Sequence, residues 1–460
     1  MKINNIQKIS FGLGGGVNAI KTDFFVWYLG AYYLTVLGLN PLLIGFALLI
    51  ALFIDAFSDP LIGTISDRIR SKLGRRHLLM ACSLLPISLS YLMLFFPNPD
   101  WAENQLFLFS WLLVFAVITR FSVTLFDIPH RALAAEIPDT YEDKAGIMSL
   151  REGFQSLIAL SHSFIILPLI NLDGIEQWFN VGIIGAIIMF VFGLISILGT
   201  KSLIPKLYEW PTIEKNDNPF KEIHKQISFV YKNKTIILFI LGSITIQLAW
   251  GLANSLTFLT QTQFWGLSTL QIQEFIKIYF LSTIISWFLV PKLVKTFEKR
   301  SILLFSLIAI GIFQATPFVF YKIGLAPESG SSALVYFLSV FIFVTGTFSI
   351  MSLMTRESMV PDMIDQVQQE SNLRQDGTIS SLTSFCAKCM TGLGQFFSMF
   401  VLWIISFPQG SSEATFAQRE MLALFQGPLI MLLFVIPIVI FSGYKIDRKK
   451  HSEILKKIKG

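Results

Sequence analysis

The segment FIDAFSDPLIG, Phe53 to Gly63, sets two carboxylates, Asp55 and Asp59, four residues apart in a stretch otherwise apolar enough for a bilayer. On a helix they lie about 6 Å apart along the axis and share one face. A charge at the centre of a membrane span costs at least about 2.5–3.5 kcal/mol on insertion scales, and two like charges so close repel. A proton, a metal cation or a basic side chain must hold the pair. A second segment, RFSVTLFDIPH, supplies Asp127, with Thr124 on the same face one turn earlier. Pro60 and Pro129 lack the amide that would bond the carbonyls of Ala56 and Leu125, so each acid has a freed backbone oxygen nearby. Such hard oxygens suit Na⁺, and the same carboxylates suit H⁺. The candidate cation ligands are Asp55, Asp59, Thr124 and Asp127, with Na⁺ a candidate metal at Asp55 and Asp59.

Other polar groups sit inside apolar segments. Lys388 lies in TSFCAKCMTGLG with Ser381 and Ser384 on its face, Arg151 opens another span, and Arg120 and Arg131 flank Asp127 at opposite depths. Asp23 stands beside Trp27, and Gln247, Trp250 and Asn254 form a polar stripe at helical spacing. Asp23, Asp127, Arg151, Lys388, Gln247, Trp250 and Asn254 are the candidate substrate contacts. His130 and His162 have no partner at metal-ligand spacing and read as structural. The pairs Asp55/Asp59 and Asp139/Asp143 also match the spacing with which membrane prenyltransferases hold a magnesium diphosphate. The second pair falls in a link at another depth, so no catalytic residues are assigned and the chain reads as a transporter, not an enzyme.

The elements that position these residues follow from composition. Of 460 residues, 53% are hydrophobic and 14% charged, against about 25% charged in soluble domains; the mean hydropathy is +0.63. With a ruler of about 20 apolar residues per crossing, twelve spans are expected: 10–36, 41–65, 78–96, 105–133, 147–170, 179–203, 235–260, 272–294, 302–321, 333–354, 379–403 and 421–443. The link SDRIRSKLGRRH, the central link and the tail are rich in Lys and Arg, whereas PNPDWAEN and NLDGIEQWFN have none. The positive-inside rule therefore expects both termini in the cytoplasm. It also accounts for the net charge of +6 without a nucleic-acid partner. The expected partners are a small-molecule substrate and the lipid bilayer, with the chain a monomer. Cys82, Cys386 and Cys389 lie in apolar segments and imply no disulfide framework, and the N-terminus shows no cleavable signal peptide.

The chain divides into a first half, 1–203, a linker, 204–234, a second half, 235–445, and a basic tail, 446–460. Phe220, Ile223, Ile227 and Val230 predict a short amphipathic helix in the linker. The halves repeat: IPDTYEDKAGIMSLREG begins at Ile137 and VPDMIDQVQQESNLRQDG at Val360, an offset of 223 residues, with Arg151 and Arg374 at matching places. Two similar six-span halves are the layout of major facilitator transporters, an all-α fold of twelve helices with the substrate site between the halves.

DAFSDPLIGTISDRIRSKLGRRH, TLFDIPHRALAAEIPDTYEDKAGIMSLREG and the Lys388 segment resemble the glycoside–pentoside–hexuronide:cation symporters over essentially the whole chain. The resemblance implies a multi-pass inner-membrane symporter working by alternating access. Its coupling cation is Na⁺ or H⁺, it has no other cofactor, and its substrate is a small polar glycoside, sugar or sugar acid. It also implies cation binding at Asp55, Asp59 and Thr124, substrate contacts at Asp127 and Arg151, and Lys388 lying between the two sites. A lysophospholipid carrier on the same fold is the alternative. The chain departs from the family pattern at Ser58 for asparagine, Arg131 for tryptophan, Val123 for tyrosine and Ala19 for aspartate. An arginine at position 131 suggests an anionic substrate. In the basic 2–3 link, Asp67, Arg68, Arg75 and Arg76 are expected to gate the cytoplasmic side, the arginines pairing with acids such as Glu136 or Asp362.

Overall fold

The computed structural model describes residues 4–69, 71, 73–97, 104–136, 141–166, 175–208, 233–371, 376–410 and 412–459. All of its regular elements are helical. The first six α-helices of nine or more residues are α1 (Asn5–Trp27), α2 (Pro41–Arg68), α3 (Arg75–Met93), α4 (Gln105–Glu136), α5 (Tyr141–Ile166) and α6 (Ile175–Thr200). The next six are α7 (Lys234–Leu259), α8 (Thr269–Thr296), α9 (Lys299–Lys322), α10 (Ser332–Ser371), α11 (Asp376–Ile404) and α12 (Phe416–Leu424), followed by α13 (Ile430–Ser442) and α14 (Arg448–Lys459). Their starts carry the signals such helices need. Asn4 and Gln7 close a capping box on α1, Asn40 caps α2 ahead of Pro41, and Ser268 with Gln271 and Thr415 with Gln418 repeat the box on α8 and α12.

Ten of the described helical stretches are long and apolar enough to cross a membrane. Among the expected spans, 10–36 and 147–170 fall short. The first is α1, which carries a run of glycines with Lys21 and Asp23; of the second, residues 167–170 lie outside the described residues. Elsewhere the bilayer face is plain. On α2, Phe57, Leu61 and Ile65 are exposed at four-residue spacing, while Asp55 and Asp59 lie about 200° around the helix.

The chain forms two compact units, residues 1–212 with 395–414, and residues 213–394 with 415–460. In the first, α1 packs on α5 and α6, α4 packs on α2 and α3, and α3 packs on α6. In the second, α7 and α9 pack on α13, and α10 packs on α8 and α9. Four pairings of the first unit thus recur in the second, α13 standing for α6, as an internal repeat requires. The repeated motifs themselves are only partly described: Pro361 lies inside α10, whereas Asp139, Arg374 and the linker helix predicted from Phe220 to Val230 lie outside the described residues.

The tail read as a basic extension is largely the helix α14, packed on α10 with Ile454 buried. Arg448 donates to the Phe297 carbonyl at 2.8 Å and to the Val294 carbonyl. His451 Nε2 lies 3.1 Å from Asp365.

Glycines set the closest approaches. A Cβ on Gly251 of α7 would fall 2.3 Å from the Thr391 carbonyl oxygen of α11, and one on Gly394 of α11 would fall 2.4 Å from the Leu248 carbonyl oxygen. Backbone cannot swing aside as a side chain can. Gly251→Ala is expected to destabilise the protein by about 3 kcal/mol, the upper end for overpacking. Gly146→Ala, where a Cβ on α5 meets nothing within 4 Å, is expected to stabilise by about 0.5–1 kcal/mol through helix propensity. Thermal unfolding in detergent checks both signs.

Candidate functional site

Helices α2 and α4 run parallel in the first unit, and their register decides which charges meet. Arg120 Nη1 donates to Asp55 Oδ2 at 3.3 Å. The Thr124 hydroxyl lies 2.7 Å from Asp55 Oδ1 and 3.2 Å from Asp59 Oδ1, so its one proton is shared along the acid pair. From α1, Lys21 Nζ comes within 3.7 Å of Asp55 Oδ2. Asp55 is 2% exposed, and Lys21, Arg120 and Thr124 are buried with it. The Arg120 guanidinium also stands over the Phe25 ring, 4.6 Å from its centroid, a cation–π contact. Its Nε is buried without a hydrogen-bond partner, which marks the side chain as held by charge. A unit-charge pair about 4 Å apart is worth about 4 kcal/mol at an effective dielectric near 20. Two cations on one carboxylate oxygen therefore exceed the repulsion that the acid pair alone would feel.

This arrangement answers how the pair is held: by basic side chains of the same chain. Metal ligation needs oxygen lone pairs, and Asp55 offers both of its oxygens to donors already in place. Among the described residues no group of three or more His, Cys, Asp or Glu is positioned to hold a metal ion. A Na⁺ ion at this pair would compete with Arg120 and Lys21 for Asp55.

A second cluster lies further along α4. Asp127 Oδ2 accepts from Arg131 Nε at 2.8 Å, one turn on, and Oδ1 accepts from Arg151 of α5. Arg151 is 0% exposed. It donates a second time, to Glu152, and a third time, from Nε to His130 Nδ1 at 3.2 Å. His130 Nε2 lies 3.0 Å from the Phe11 carbonyl. A carbonyl only accepts, so Nε2 carries the proton and Nδ1 is the acceptor: His130 is a neutral imidazole in a fixed tautomer. It stacks on Phe11 at 4.2 Å. Space for this comes from the glycines of α1. A Cβ on Gly14 would fall 2.5 Å from His130 Nε2, one on Gly15 3.0 Å from the Arg151 carbonyl oxygen, and ones on Gly12 and Gly16 within 2.7 Å of Phe154 and Ile158. Gly12 and Gly16 are a small-xxx-small pair that lets α5 approach closely.

The structure thus brings together Asp55, Asp59, Thr124 and, one cluster further on, Asp127 and Arg151. Of the two arginines that flank Asp127 in sequence, Arg131 pairs with it and Arg120 pairs with Asp55. Lys21 and the role of His130 escaped sequence reading. A lysine two places before Asp23 in an apolar span was the available signal for the first. Asp23 is buried, but a 200° step round α1 takes it off the Lys21 face. In the second unit Lys388 is half-buried on α11, and Gln247, Trp250 and Asn254 are half-buried on one side of α7. Of the expected gate, Arg76 is buried and reaches back to Ser66 Oγ at 2.8 Å. The side chains of Asp67, Arg68, Arg75 and Glu136 lie outside the described residues. Asp362 is engaged by groups of its own unit, Lys299 at 2.7 Å and His451 at 3.7 Å. Ser58 turns its hydroxyl to the Asp55 carbonyl at 2.9 Å, and so is spent on its own helix.

A family model described as MFS/sugar transport protein matches residues 10–448. A putative glycoside/cation symporter of Escherichia coli, YagG, is 22% identical over 95% of this chain and 89% of its own length. A glucuronide carrier protein homolog of the same organism is 20% identical over 98% of this chain and 94% of its own. A mutant form of the nucleoside transporter NupG shares the fold with a TM-score of 0.69 at 13% identity, over 96% of this chain and 100% of that one.

Asp127 is the counter-charge of a fully buried guanidinium. Asp127→Asn is expected to cost about 3–5 kcal/mol of stability, as breaking one side of a buried pair does. Glu152→Gln, at a side chain 51% exposed, is expected to cost under about 1 kcal/mol. Thermal melts of the two purified variants give the comparison, and equal losses would contradict the assignment.

Proposed function

The chain belongs to the MFS/sugar transport protein family, and on that premise we propose that it is a cation-coupled symporter of a small sugar acid, with neutral glycosides as weaker substrates, moved by alternating access. One observation carries the substrate class. Arg131 binds Asp127 through Nε while its side chain stays 43% exposed, which leaves its terminal N–H groups for a ligand. That planar fork matches a carboxylate. Arg151, fully buried, spends its donors on Asp127, Glu152 and His130, so it orients Asp127. The relatives named for a glycoside and for a glucuronide support the same class.

Asp127 is the proposed acceptor for sugar hydroxyls, and His130 is a positioning residue that acts through Arg151. In the second unit, Lys388 and the Gln247, Trp250 and Asn254 face are the proposed sugar contacts, on the ground of their half-buried polar character. Asp55, Asp59 and Thr124 are the proposed coupling group. They share α4 with the substrate cluster, so a change of charge at one is felt at the other, and the two ligands strengthen each other's binding as linkage requires. The Lys- and Arg-rich termini and central link are proposed to face the cytoplasm.

Gradient-driven uptake in proteoliposomes tests the reading. A labelled glucuronide is expected to accumulate against its gradient, and Asp55→Cys and Asp59→Cys to abolish accumulation. Arg131→Gln is expected to raise the apparent KM for the acid about tenfold, the worth of one charge-assisted hydrogen bond, and to change that of a neutral glycoside far less. Undiminished accumulation by the two aspartate variants would make the acid pair structural.

A further inference from the structure

The acid pair on α2 carries its own cations. We infer that the Arg120 guanidinium occupies the place a coupling Na⁺ would take, so that this site rejects Na⁺ and Arg120 is the residue that decides it. The inference rests on the transport reading only in treating the acid pair as the coupling group.

Four observations converge. Asp55 Oδ2 receives Arg120 at 3.3 Å and Lys21 at 3.7 Å, and Oδ1 receives Thr124 at 2.7 Å. Both Asp55 oxygens that would face a metal therefore already face a donor or a cation. The charges of Asp55, Asp59, Lys21 and Arg120 sum to zero, and Lys21, Arg120 and Asp55 are all under 10% exposed. An added Na⁺ would stand uncompensated beside a guanidinium. Arg120 is held from a second side by the Phe25 ring of α1 at 4.6 Å, so it does not swing out as a mobile ion leaves. Finally, its Nε is buried with no hydrogen-bond partner. A side chain placed by hydrogen bonding alone would satisfy that donor; one placed as a counter-ion need not.

Lys21 and Arg120 differ in what they supply. The ammonium is a compact point charge at the longer distance, whereas the guanidinium makes the direct hydrogen bond. Within this group of four charges, removal of Arg120 leaves two carboxylates and the Thr124 hydroxyl with Lys21. That is an oxygen set with one negative charge to spare, the condition under which a monovalent metal binds.

The experiment is thermal unfolding and ²²Na⁺ binding on the full chain in detergent, with NaCl, LiCl, KCl and choline chloride compared at equal ionic strength. Wild type is expected to melt at the same temperature in all four salts and to show no saturable ²²Na⁺ binding. Arg120→Gln is expected to gain saturable Na⁺- or Li⁺-dependent stabilisation, lost again in Arg120→Gln/Asp59→Asn. Arg120→Lys, which keeps the charge, is expected to stay insensitive to Na⁺. Saturable Na⁺ stabilisation of wild type that Asp55→Asn removes would overturn the inference, and so would a folded Arg120→Gln that gains no Na⁺ response. The wild-type measurement decides the matter even if Arg120→Gln does not fold. Stabilisation by a glucuronide in Na⁺-free choline buffer is read separately. Its absence would sink the substrate reading and leave the ion result standing.

Discussion

Charge neutrality at membrane depth is the constraint on which the first unit is built. A carboxylate inside a span is tolerable only with a partner, and α2 and α4 between them carry three. Each is met: Asp55 by Arg120 and Lys21, Asp59 by the Thr124 hydroxyl, Asp127 by Arg131 and Arg151. Meeting them fixes the geometry of four helices at once. The parallel register of α2 against α4 follows from the Asp55 and Asp59 contacts. The approach of α1 follows from Lys21, and the seat of α5 from Arg151. Hydrophobic burial contributes little to helix association in lipid, where a leucine gains nothing by leaving the acyl chains. Polar pairs and close glycine packing hold the helices together instead.

One face of α4 unites the parts. Arg120, Thr124, Asp127 and Arg131 follow at steps of four, three and four residues, so a helical turn of 100° per residue keeps them in a single stripe. The first part of the stripe meets the acid pair of α2, and the later part holds the proposed substrate cluster. A rigid helix that carries both transmits a shift at either end without any chain of intermediates. His130 extends the connection sideways, since it fixes Arg151 on one ring nitrogen and the α1 backbone on the other. Under the proposed assignment, substrate binding and ion binding bias the same rigid body, which is what a two-state carrier needs.

Much of this was legible in the residues. Depth and spacing marked Asp55, Asp59, Thr124, Asp127 and Arg151, because an apolar span rarely retains charge that serves no purpose. Spacing gives the face of a helix, but it does not give the register against its neighbour. Arg120 shares a face with Asp127, yet the offset of 65 residues between α2 and α4 sets it beside Asp55. That offset depends on loop length and packing together, which no single segment encodes. Lys21 stood out as a charge in an apolar span, but its partner Asp55 lies on another helix, which its own segment does not encode. The glycines from Gly12 to Gly16 carry no chemistry of their own; their meaning appears only when a Cβ is seen to meet His130 or the backbone of Arg151. The repeat was visible at 137 and 360, and its physical form is the recurrence of the same helix pairings in the second unit.

The central claim is that Asp55 and Arg120 are each other's charge. A double-mutant cycle on thermal stability measures this directly, with Asp55→Asn, Arg120→Gln and the pair together. A coupling energy of about 2 kcal/mol or more is expected, since groups in one buried charge network depart from additivity by up to about 3 kcal/mol. The double variant should then be more stable than the sum of the two single losses allows. Additivity within about 0.5 kcal/mol, the behaviour of distant independent sites, would contradict it and return the carboxylate to a cation from outside the chain.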